Sequence, residues 1–110
     1  MFNNKTSPSS YGGAIFVDNG SIVLKGETVF ANNTADFGGA VFVDEGSNAS
    51  FGGAIVFANN TAKYGGAIRL NDQSVFNSDG TASFVSNKAE FGGAICADGS
   101  ELNFNGNVSF

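Results

Sequence analysis

Apolar residues in this chain alternate with other types in short runs; they do not recur at helical spacing. Ile15 and Val17 flank Phe16, Val41 and Val43 flank Phe42, Ile68 and Leu70 flank Arg69, and Ile95 and Ala97 flank Cys96. The flanking residues are always apolar, while the middle ones share no chemistry. A period of two predicts strands with the flanking residues inward and Phe16, Phe42, Arg69 and Cys96 outward. A second face sets Leu24, Phe51 and Phe104 inward. A third sets Thr28, Ile55, Ala82 and Val108 inward, then Phe30, Phe57, Phe84 and Phe110, with Val29, Val56, Ser83 and Ser109 outward.

These groups return with a fixed beat. Gly-Gly-Ala begins at Gly12, Gly38, Gly65 and Gly92, in steps of 26, 27 and 27 residues. Eight residues before it stand Phe30-Ala-Asn-Asn33, Phe57-Ala-Asn-Asn60 and Phe84-Val-Ser-Asn87. Repeats of this length signal a stacked, one-dimensional architecture. Twenty-seven extended residues span roughly 90 Å, so each unit must bend, and three faces of strand length bring it back about 4.8 Å above its start. The expected fold is all-β, a right-handed parallel β-helix of about four coils. Residues 1–110 form one repeat domain, read as a piece of a longer array, with residues 1–10 as an irregular edge. A glycine column at Gly26, Gly53, Gly80 and Gly106 marks the second turn. Gly52-Gly53-Ala54 falls on that turn and is not a further repeat start. The third coil is expected to hold an extra residue near Asn77-Ser78-Asp79.

Each motif residue has structural work to do. Stacked Phe30, Phe57 and Phe84 make an aromatic ladder inside the coil. Asn33, Asn60 and Asn87 lie in the turn that follows, where an inward amide bonds backbone and the asparagine one coil away. The glycine pairs allow a tight turn and close approach of coils.

Charge and composition narrow the functions. The net charge is −5 with no histidine, which leaves nothing to neutralise a row of phosphates, so nucleic acid is not an expected partner. The single Cys96 rules out a disulfide framework within the chain and any cysteine metal cluster. No nucleotide loop, nucleophile triad or zinc motif is present, so no catalytic residue and no cofactor are expected. Asp18, Asp44, Asn71 and Asp98 share one turn position. Stacking would set Asp18 beside Asp44 and make Asp18, Asp44 and Asp98 the candidate ligands for a cation, although Asp and Asn favour turns without one. Phe16 and Phe42 are expected as outward neighbours, either a partner surface or packing against a neighbouring domain or loop outside this stretch of sequence.

The paired motifs resemble those of the polymorphic outer membrane proteins of chlamydiae. The resemblance rests on Gly12-Gly13-Ala14-Ile15, Gly38-Gly39-Ala40-Val41, Gly65-Gly66-Ala67-Ile68 and Gly92-Gly93-Ala94-Ile95, together with Phe30/Asn33, Phe57/Asn60 and Phe84/Asn87. It covers nearly the whole chain. It implies a β-helical passenger of an autotransporter-like surface protein, acting as an adhesin at the cell surface or outer membrane. The partner would be a protein or glycan of a host or neighbouring cell, with membrane attachment through an anchor elsewhere. End-to-end self-association is a further expectation, because bare coils expose strand edges. The alternatives are a non-binding structural stalk and a fragment of a glycan-active β-helix enzyme.

Overall fold

The computed structural model describes residues 13–110, so Gly12 lies outside the described residues, as does the expected irregular edge at 1–10. It is a parallel β-solenoid of about four turns with no helix among those residues. The first sheet stacks β1 (Ile15–Asp18), β4 (Val41–Asp44), β8 (Ile68–Leu70) and β12 (Ile95–Ala97). The second stacks β2 (Ser21–Leu24), β5 (Asn48–Phe51), β9 (Val75–Ser78) and β13 (Glu101–Phe104). The third stacks β3 (Thr28–Ala31), β6 (Ile55–Ala58), β10 (Ala82–Val85) and β14 (Val108–Ser109). Like pairs with like throughout: Ile15 lies beside Val41, and Phe30 beside Phe57.

The inward columns fill the coil. Phe30, Phe57, Phe84 and Phe110 stack with ring centroids 4.9 Å apart and planes within 11° of parallel. Phe30 and Phe57 are fully buried, and Val41, Val43, Ile55, Ile68 and Leu70 close the core around them. At the second turn Gly53 stands against the Gly26 carbonyl and Gly80 against the Gly53 carbonyl, each leaving only 2.6 Å for a side-chain carbon. That contact fixes Gly52-Gly53-Ala54 at the turn, as its place in the repeat implies.

Two expectations about register and facing need correction. The second sheet runs unshifted through Asn77 and Ser78, which pair with Ser50 and Phe51 on one side and with Asn103 and Phe104 on the other. The length change sits in the first turn instead. Ile15 pairs with Val41, a step of 26, while Ser21 pairs with Asn48, a step of 27. The second coil therefore carries one more residue between its first two strands, and the fourth coil gives it up again: Ile68 pairs with Ile95, Val75 with Glu101.

Because the register holds, Ser78 occupies a core position where its neighbours have Phe51 and Phe104. The missing ring is supplied two residues earlier: Phe76 stands opposite Ala49 and packs 5.0 Å from Phe51 and 6.0 Å from Phe104. Large and small have exchanged places within one strand, and the core stays filled. The Ser78 hydroxyl is left buried without a hydrogen-bond partner. Ser78→Ala is therefore expected to stabilise the chain by about 1 kcal/mol, read as a higher urea midpoint at unchanged m-value.

The second correction is Phe42. It points out of the coil as expected, yet it is 2% exposed. A fourth ladder covers it: residues 34–37, β7 (Thr61–Tyr64) and β11 (Lys88–Phe91), joined by parallel pairing and two isolated bridges. These segments lie between the asparagine turn and the glycine pair. Gly38 has φ of +62°, and its backbone is folded so tightly against the Val41 carbonyl that a side-chain carbon would overlap it. That fold returns the Phe37 ring onto Phe42, edge-to-face at 5.9 Å, and Phe16 meets Phe42 from the previous coil at 5.3 Å. The second glycine has another reason: a side chain at Gly39 would run into the Gly66 carbonyl one coil on.

Candidate functional site

The outer face of the first sheet carries the chemistry. Alternation along its strands puts two columns side by side: Phe16, Phe42, Arg69 and Cys96 in one, and Asp18, Asp44, Asn71 and Asp98 in the next. Phe37, Tyr64 and Phe91 border the first column, stacked with centroids 5.0 Å apart. The Arg69 guanidinium lies 5.7 Å from the centre of the Tyr64 ring. It donates to Cys96 Sγ at 2.8 Å and meets the exposed Asp98 carboxylate at 3.7 Å. Phe16 remains 47% exposed at the top of this cluster and Phe91 52% exposed at its other end.

The acidic column is partly as expected. Asp18 and Asp44 are register neighbours, and Glu45 joins them so that the three bring ligand atoms within 4.8 Å of one another. Asp98 is not part of that group, because Asn71 separates it from Asp44 and Arg69 holds it. Sequence reasoning missed Glu45 and Asp72, which the longer turns of the second and third coils push out with left-handed φ of 59° and 54°. Asp72 shares a side-chain hydrogen bond with Asp44, and this pushes its carboxyl above the ordinary value of about 3.8. Slight desolvation and the charges of Asp44 and Asp98 act the same way, and Arg69 opposes them.

A carboxyl held above its unfolded value favours the folded state at acid pH, and that contribution is lost as pH rises through its folded value. Asp72→Asn is expected to flatten the stability profile from just below pH 3.8 upward. Its melting temperature near neutral pH should equal or exceed that of the parent. A parent and variant with parallel profiles from pH 3 to 7 would remove the pairing of Asp44 with Asp72.

The asparagine column forms the other polar network. Asn33 Nδ2 and its backbone N–H both donate to Asn60 Oδ1, at 2.9 and 3.0 Å. Asn60 repeats this toward Asn87 at 2.9 and 3.1 Å and also donates to the Phe30 carbonyl at 3.1 Å. The residue before each asparagine (Asn32, Asn59 or Ser86) has φ near +57°, a conformation that Asn tolerates well. This network is internal, with Asn33 and Asn60 fully buried, so it serves the fold and offers nothing to a ligand.

Rungs of identical plan, a glycine pair that folds an aromatic ladder over one outer face, and an amide ladder at the opposite end of that segment define a β-solenoid repeat protein. The sequence model of the Chlamydia polymorphic membrane protein repeat matches at residues 27–44, 54–70 and 81–98, so the chain belongs to that repeat family. Each match runs from the strand before the asparagine turn into the first sheet, the first and third as far as Asp44 and Asp98 and the second as far as Leu70. No curated protein and no solved structure matches the chain. Members of the family are outer membrane surface proteins and are not enzymes.

Proposed function

We propose that these coils are a segment of a surface-displayed, autotransporter-like adhesin and that they bind through the outer face of the first sheet. The observation that carries the reading is the set of three family repeats, each of which runs into the first sheet. The exposed Phe16, set on a bed of other rings, supports it: an apolar group held rigidly at the surface loses little entropy when a partner covers it. Asp18, Glu45 and Asp98 of the first turn are exposed, which suits display.

Phe16→Ser is expected to lower binding of chain-coated beads to cultured epithelial cells by about tenfold, the equivalent of about 1.4 kcal/mol, with no fall in melting temperature. A well-folded parent that binds no cells would favour the stalk. One observation already leans that way: the burial of Phe42 leaves less aromatic surface outside than two outward rings would.

A further inference from the structure

We infer that Asn105 is a site of spontaneous covalent modification, at which the backbone nitrogen of Gly106 converts the asparagine into aspartate or isoaspartate. The chain holds two Asn-Gly steps, Asn19-Gly20 and Asn105-Gly106. In each, the glycine has no side chain to shield its backbone nitrogen or to stiffen the chain around it. That nitrogen attacks the side-chain Cγ of the asparagine. A C–N bond forms, the Cγ–Nδ2 bond breaks, and the glycine amide proton leaves with Nδ2 as ammonia. Solvent water then opens the five-membered imide at either carbonyl, so each event consumes one water and releases one ammonia.

The dipeptides are the same, and the fold separates them. Both asparagines are exposed. Gly20 donates its backbone N–H to Oγ of the buried Ser47 at 2.9 Å. The nucleophile is tied there, and attack must first break that bond. The Gly106 N–H has no acceptor among the described residues. The Asn105 carboxamide donates through Nδ2 to Asp79 Oδ1 at 2.8 Å, at the surface. That bond engages the departing nitrogen and leaves the attacking one free. The product matters to the coil. It loses the donor to Asp79 and sets a second carboxylate one rung, about 4.8 Å, from the first. Isoaspartate also adds one atom to the backbone of a turn where a side-chain carbon on Gly106 would already run into the Gly80 carbonyl. The added atom displaces β13 or β14, and with them Phe104 or Val108, which pack against the core. The fourth coil is where this solenoid loosens with age.

The test holds the full chain in mildly alkaline buffer at body temperature and follows both Asn-Gly peptides by mass spectrometry. Each conversion adds one mass unit, or three when the water carries heavy oxygen. The same chain unfolded in urea gives the rates that the dipeptides set without the fold. The inference expects similar rates in urea, and in the folded chain a reaction at Asn105 about fivefold or more faster than at Asn19, the ratio one hydrogen bond sets. Ser47→Ala, shown folded by its melting curve, should raise the Asn19 rate about threefold or more, because it frees the Gly20 N–H. Equal rates in the folded parent, or Asn19 reacting first, overturn the inference. So does a folded parent in which neither step reacts although both react in urea, and so does a folded Ser47→Ala chain whose Asn19 rate is unchanged. Should Ser47→Ala unfold, the comparison of the two steps in the parent decides by itself.

Discussion

Phe57→Ala is expected to destabilise the solenoid by about 3–5 kcal/mol, which is a large part of the stability of a chain this size. Phe57 is fully buried between Phe30 and Phe84, both 4.9 Å away and nearly parallel to it. Removing it takes away the transfer free energy of the ring and leaves a cavity open to two neighbours. Those neighbours cannot close in, because their strands are pinned by parallel pairing on both sides of β6. Urea unfolding of parent and variant measures the loss. A change below about 1 kcal/mol would mean that the third face does not point inward. Phe110, in the same column but 78% exposed, should be much more tolerant of the same substitution.

The Phe57 column was legible because every coil places the same residue at the same offset, and a solenoid turns offset in sequence directly into neighbourhood in space. Asn60 and the Gly53 turn were legible for the same reason. Ser78 shows where this stops: at a site where one coil exchanges a large residue for one two positions earlier, a repeat pattern reads as an insertion, although the backbone never shifts. The real insertion lay in the first turn, beyond the shared Asp/Asn position, where glycines and polar residues give no inward column to count against.

Phe42 marks a different limit. Alternation tells which side of a strand a residue occupies, and Phe42 is on the outer side; what lies over that side is a separate question. The signal for the cover was present in Phe37, Tyr64 and Phe91, the aromatic residue before each Gly-Gly-Ala. Its meaning depends on the backbone reversal at Gly38 and Gly65, both at positive φ, which carries those rings back over the strand that follows. In the acidic turn, Asp18 and Asp44 follow from the register of the sheet. Glu45 and Asp72 arise from the lengthened turns, so their contribution to the site depends on loop conformation and not on periodicity.

Asn60→Ala should cost nearly as much as the loss of a core ring, about 3–5 kcal/mol, although it removes only a small polar group. Asn60 is fully buried and is the middle rung of a relay in which each amide oxygen accepts from the coil before it and each amide nitrogen donates to the coil after it. Truncation takes the shared acceptor from the buried Asn33 backbone N–H and side-chain Nδ2 and one donor from the Phe30 carbonyl, while the part-buried Asn87 oxygen keeps the backbone N–H of residue 60. Asn60→Asp separates polarity from volume. The carboxylate would still accept from Asn33 but would face the Asn87 oxygen with no proton to give. It should therefore be strongly destabilising at neutral pH and recover in acid, where a carboxyl held protonated donates as the amide did. Equal losses for the two variants, with no recovery between pH 7 and 3, would show that the column holds the turn by its shape alone.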